Sequence, residues 1–168
     1  MKKKTPVITN LRILKESRKP VHPGDIFVLQ VFDDEYLFGR VVRTDATIVS
    51  MRDVILIYIY NVRSRSKTPI PALPPDKLLI PPKFINRLPW SRGYFETVAH
   101  VPLQKDDLLP VHCFLMPRPS ERTPIKYLDE YDRELDRRYE PCGFQALGSF
   151  RTVDDDISKA LGIPVAPD

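Results

Sequence analysis

Eighteen of the 168 residues are proline, about twice ordinary usage. Proline cannot continue a helix interior and has no amide to give a central strand. A helical bundle is therefore excluded. The spacing predicts many short strands joined by long, stiffened connections. The chain is nevertheless apolar enough to fold. Hydrophobic residues make up 42%, with one Trp, seven Tyr and eight Phe. A chain of this length suits one domain with a proper core. We divide it into a basic N-terminal arm, residues 1–20, and a single domain, residues 21–168.

The stretch Pro23–Arg43 (PGDIFVLQVFDDEYLFGRVVR) organises that domain. Two runs rich in Val, Ile, Phe and Tyr flank the acidic turn Asp33, Asp34, Glu35, which reads as a β-hairpin. Gly39 inside the second run marks a bulge or a close backbone approach. Val54–Tyr60 is apolar on both faces, as a central strand covered on both sides must be. Gly93–Val101 and Val111–Met116 read as further strands. Between them, residues 67–90 carry seven prolines and read as a long wrapping connection held down by Leu78, Leu79, Ile80 and Phe84. A ligand for proline-recognising domains, or the rigid flank of a binding surface, is the alternative. Tyr127, Tyr131, Leu135 and Tyr139 recur every fourth residue, which predicts a helix ended by Pro141. A C-terminal helix is predicted over 152–161. Thr152 would cap it, Asp154, Asp155 and Asp156 would lie in its first turn, and Gly162 would close it. The expected class is α+β: a strongly twisted antiparallel sheet, or a partly open small barrel, with a C-terminal helix.

No apolar run approaches the ~20 residues that cross a bilayer. No apolar stretch follows the N-terminal lysines, so a secretory signal is not expected and the protein is placed in the cytoplasm. There Cys113 and Cys142 are expected to be reduced and structural, with a disulfide the minor alternative. Net charge is +4, unevenly placed: residues 1–20 hold seven basic groups against Glu16 alone. Such an arm can bind nucleic acid, but is more commonly a solvated tail.

Chemical motifs are few. The chain has no GxxxxGK[ST], GxGxxG or GxSxG. His22, His100 and His112 have no zinc-site spacing, so no metal and no cofactor are expected. Cys113 sits in an apolar strand, which disfavours a thiolate nucleophile. Surface recognition remains. Trp90, Arg92 and Tyr94, in the run W-S-R-G-Y-F, are residue types enriched at binding hot spots. Arg40 in the hairpin has no packing role visible in the sequence. The candidate protein-binding residues are therefore Arg40, Trp90, Arg92, Tyr94, Asp33, Asp34 and Glu35.

The hairpin P-G-D-I-F-V-L (Pro23–Leu29) followed by Y-L-F-G-R-V (Tyr36–Val41) resembles the opening of the immunity protein 26 family, small bacterial proteins found beside toxin genes in polymorphic toxin systems. Ile55–Tyr60, W-x-R-G-Y-F-E-T-V (Trp90–Val98) and G-x-F-R-T-V-D-D-D-I (Gly148–Ile157) agree. The resemblance implies an α+β fold with prominent positions at Trp90, Phe27 and Arg40. It also implies a non-enzymatic protein that binds and blocks a cognate toxin, a nuclease among the possibilities, with no small-molecule substrate and no membrane partner. Against a nuclease, a positive chain cannot mimic DNA globally, but Asp33–Glu35 or Asp129, Glu130 and Asp132 would form a local acidic patch. Two alternatives stand. One is an SH3-like nucleic-acid module, or a MazF-type endoribonuclease, using Arg40, Arg43, Arg63, Arg65 and Lys67. The other is a small enzyme whose pocket sets His100 or His112 beside a carboxylate.

Overall fold

Both runs of the hairpin become strands. The computed structural model describes residues 7–168, with β1 at Asp25–Leu29 and β2 at Tyr36–Ile48 joined across the acidic turn. Phe27 stands opposite Gly39 and Val28 opposite Phe38. A methyl group on Gly39 would collide with the Phe27 ring and approach the Tyr58 carbonyl oxygen to 2.9 Å. Gly39 is thus the close approach its position suggested, and the space it leaves is filled by Phe27.

The Val54–Tyr60 run forms the middle of β3, Met51–Ser64. Its alternation serves two cores. Ile55, Ile57 and Ile59 pack on one face of the sheet with Phe27, Leu29, Trp90 and Phe95; Leu56, Tyr58 and Tyr60 pack on the other with Val28, Phe38, Phe84 and Phe114. The proline-rich stretch is more regular than expected. Residues 78–85 form β4 (Leu78–Ile85), paired antiparallel with β3. Pro81 and Pro82 fall where the register slips: Ile57 opposes Lys83, yet Ile59 opposes Ile80. The bulge absorbs residues that cannot donate to the ladder. On its other side β4 pairs only through Phe84 and Ile85, clear of both prolines. The short helix α1, Leu88–Ser91, follows. Strand β5, Glu96–His100, begins later than its sequence pattern, because Tyr94 and Phe95 turn into the core.

A second sheet is built from β6 (Cys113–Leu115), β7 (Tyr127–Leu128) and β8 (Cys142–Phe144), in the order β7-β6-β8. The helix expected over 127–139 does not form. Asp129 Oδ1 accepts the amides of Tyr131 (2.9 Å) and Arg133 (3.0 Å), and Asp132 takes φ 67°. This side-chain turn competes successfully with the tyrosine periodicity. Strand β9, Leu147–Gly148, completes the main sheet in the order β5-β1-β2-β3-β4-β9. The sheet is open, and the fold is α+β.

The last element, α2, spans Phe150–Leu161, starting earlier than predicted. Ser149, not Thr152, is the cap: its amide donates to Thr152 Oγ1 (2.7 Å) and its Oγ accepts from the Thr152 amide. Stacking of Phe150 on Tyr94 at 5.1 Å holds the added residues. Asp154 consequently lies past the first turn and has another task. Its carboxylate, 1% exposed, accepts the amides of Leu11 (2.7 Å) and Asn10 (3.1 Å). Gly162 closes the helix at φ 71° as expected. The described part of the basic arm is therefore tied down. Leu14 and Ser17 also donate to the carbonyls of Gly93 and Trp90. The three N-terminal lysines lie outside the described residues.

Candidate functional site

The seven residues singled out from sequence divide by burial. Trp90 (2% exposed), Tyr94 (5%) and Arg40 (4%) are inside, so the surface role expected for them meets a packed environment. Trp90 sits edge-on to Phe27 and Phe95, with centroids at 5.3 and 5.1 Å. Arg40 donates from Nη2 to the Val101 carbonyl at 2.7 Å and faces Asp107 across 3.4 Å. Arg92 is exposed, its guanidinium 6.0 Å from the centre of the Phe150 ring. Trp90, Tyr94 and Arg92 thus share the region around α1 and the start of α2.

The acidic turn faces solvent. Asp33 and Asp34 are exposed and Glu35 is half-buried. Asp33 pairs with Arg12, and Glu35 pairs with Arg63 at 3.3 Å. Asp34 has no ion-pair partner among the described residues. The other acidic group is turned inward. Asp129 holds its own turn, Asp132 accepts from Gln145, and Glu130 is 9% exposed.

Glu130 belongs to a buried constellation that the sequence did not reveal. His112 Nε2 lies 2.5 Å from the Tyr58 hydroxyl, His112 Nδ1 lies 3.2 Å from Glu130, and Arg43 Nε approaches the same carboxylate at 3.3 Å. The Tyr58 hydroxyl also accepts the Leu109 amide at 3.0 Å, and burial pushes its pKa up to about 12. His112, Glu130 and Arg43 border a 680 Å³ cavity, which meets the stated condition for an assembled site: His112 beside a carboxylate. The geometry supports bracing instead. Both ring nitrogens are engaged and the ring is 5% exposed, so no lone pair is offered to a substrate. The network fastens the face of β3 to segments 108–112 and 129–135. His100 is also beside a carboxylate, with Nδ1 2.8 Å from Asp25. Among the described residues, no group of three His, Cys, Asp or Glu side chains is placed to hold a metal.

Burial raises the pKa of Glu130, but the hydrogen bond from His112, and then neighbouring positive charge including that of Arg43, outweigh it and leave a net lowering. The stability Glu130 supplies is therefore full above its ordinary 4.5 and is lost as pH falls towards the lower folded-state value. Glu130→Gln should cost stability at neutral pH and flatten the acid limb of a melting-temperature profile below pH 4.5. A variant with a limb as steep as the parent's would refute the brace.

The basic residues considered for a nucleic-acid groove are mostly matched by acids. Arg40 faces Asp107, Arg43 faces Glu130, Arg63 faces Glu35, and Lys67 meets Glu96 at 3.0 Å. Arg65 alone of the five is without such a partner among the described residues. An arrangement so neutralised offers little counterion release to a phosphate backbone.

The architecture and its hairpin can be set against known families. A family model described as immunity protein 26 matches residues 22–117, more than half of the chain. The chain belongs to this family. No curated protein and no solved structure matches it. Within the immunity protein 26 match lie β1 to β6 and most of both cores, including Phe27, Arg40 and Trp90. The residues holding the N-terminal segment to α2, Asn10, Leu11 and Asp154, lie outside it. No helix among the described residues is long and apolar enough to cross a membrane.

Proposed function

We propose that this immunity protein 26 member binds a cognate toxin in the bacterial cytoplasm and neutralises it without catalysis, as part of a polymorphic toxin system. The observation that carries the reading is the family match over residues 22–117. The engagement of both nitrogens of His112 supports a binding rather than a catalytic protein. For the contacting surface we propose the acidic turn Asp33, Asp34 and Glu35 together with exposed Arg92. Of the two acidic groups, this turn is the one with carboxylates left open to solvent. A basic toxin active site, as a nuclease has, would be its electrostatic complement. A stable complex of this kind buries on the order of 1,200–2,000 Å² in total, with a few anchors carrying most of the energy.

The test is co-expression with the toxin domain encoded by the adjacent gene. Growth should be protected, and the two proteins should co-purify. Reversing the turn (Asp33→Lys, Asp34→Lys and Glu35→Lys together) should slow association at least tenfold at low salt, with little change in melting temperature. Full protection by the reversed variant would remove the turn from the interface. Growth arrest or RNA cleavage by this protein expressed alone would overturn the whole reading in favour of a toxin endoribonuclease.

A further inference from the structure

The chain's two cysteines lie 29 residues apart in sequence and meet in space. Cys113 on β6 and Cys142 on β8 are direct partners in the parallel register of the second sheet. Their sulfurs are 3.3 Å apart. Both are free thiols and both are buried, Cys113 completely and Cys142 at 9% exposure. Further contacts hold the pair in place: the Tyr139 amide donates to Cys113 Sγ at 3.4 Å, and Cys142 Sγ reaches the Gly143 carbonyl at 3.5 Å. A disulfide needs its two sulfurs drawn only a little over 1 Å closer than this, to the ~2.05 Å bond length. Nothing in toxin binding calls for such a pair.

We infer that Cys113 and Cys142 form an oxidisable dithiol site that a low-molecular-weight disulfide converts to an intramolecular cross-link. The chemistry is thiol–disulfide exchange, with oxidised glutathione as a suitable co-reactant. Cys142, the more exposed residue of the two, loses its proton and attacks the glutathione disulfide, forming a mixed disulfide and expelling one glutathione thiolate. Cys113 then loses its proton and attacks Cys142 Sγ, expelling the second. Two protein thiols are oxidised, one glutathione disulfide is reduced to two glutathiones, and each released thiolate takes up one of the two protons. Because β8 pairs with β6 through only three residues, a local opening of this edge admits the oxidant.

The surroundings set the pace. Burial first, and then the neighbouring Cys113 thiol, push the Cys142 pKa up to about 12, with Arg138 opposing and Glu140 assisting. Across the adjoining cavity stand Lys83, paired with Asp156 at 2.7 Å, and Lys159. Exchange should consequently be slow at neutral pH and rise about tenfold per pH unit well past the point near 8.5 where an ordinary surface thiol levels off.

The experiment treats the folded full-length chain with oxidised glutathione from neutral to alkaline pH. Samples are quenched in acid, denatured, alkylated and weighed intact. The expected product is a monomer lacking both alkylatable thiols, lighter by two hydrogens, with a Cys113–Cys142 peptide in the digest. Its melting temperature should exceed that of the reduced protein by roughly 5–10 °C, since a loop of this length is closed in the unfolded chain. Cys113→Ser should stop at the mixed disulfide, retaining one glutathione on Cys142. Two free thiols after oxidation, disulfide-linked dimers in place of the monomer, or a rate that levels off near pH 8.5 would each overturn the proposal. None of these outcomes bears on toxin binding, so failure here leaves the proposed function standing.

Discussion

Trp90→Ala should cost about 3–5 kcal/mol of stability, the range for truncating a large aromatic in a packed core. The indole is 2% exposed and meets the edges of Phe27 and Phe95. Those two rings are stacked on each other at 4.4 Å, and Phe27 fills the space that Gly39 leaves. Removing Trp90 therefore opens a void beneath three elements at once: the hairpin, α1 and the start of β5. Trp90→Phe should cost about half as much or less, because the indole Nε1 has no hydrogen-bond partner to lose. Urea denaturation followed by far-ultraviolet circular dichroism is the measurement, as Trp90 is the chain's only tryptophan and fluorescence would vanish with it. A loss below about 1 kcal/mol would return the residue to consideration as a surface anchor.

Arg40→Ala should lower stability by about 3 kcal/mol, a fall of roughly 10 °C in melting temperature for a chain of this size. The side chain is 5% exposed, while Asp107 is 28% exposed. Removing the guanidinium strands the Val101 carbonyl and the Pro102 carbonyl, which accepts at 3.4 Å, and leaves Asp107 without its counter-ion. Partial hydration of Asp107 keeps the loss from being larger. Arg40→Lys should recover only part of it, since an ammonium cannot span the same acceptors as a planar fork. The measurement separates two roles for Arg40. A lower melting temperature with unchanged partner affinity in the folded fraction assigns it to packing. Lost affinity at an unchanged melting temperature assigns it to the interface.

The elements legible in the sequence were those whose pattern agrees with their surroundings. Asp25–Leu29 and the middle of β3 are strands by residue type, strands by register, and buried on both faces. The elements misread were decided by single side chains or by distant partners. Pro81 and Pro82 argue against a strand until a bulge in its pairing with β3 absorbs them. The tyrosines at 127–139 keep helical spacing, but the Asp129 carboxylate captures the local amides first. At the site, W-S-R-G-Y-F states which side chains are present but not which way α1 turns them. Arg40 looked surplus because its partners lie 61 residues and more along the chain. Glu130 read as a surface acid for the same reason: Tyr58 and His112 are fixed beside it only by tertiary packing.

The carboxylate of Asp154 has a consequence for the order of events during synthesis. Its partners, the amides of Asn10 and Leu11, are made 144 and 143 residues earlier. The hairpin of β1 and β2, and β3 after it, can pair as soon as they leave the ribosome, because each needs only its neighbour in sequence. The amides of Asn10 and Leu11 must wait unclaimed until almost everything between has been translated. A nascent chain stalled before Asp154 would therefore carry an assembled central sheet with Trp90 and the Phe27–Phe95 stack left partly uncovered. Completion of α2 is the step that turns a paired sheet into a closed molecule, and a truncated product would be marked for proteolysis by the loose end it could not fasten.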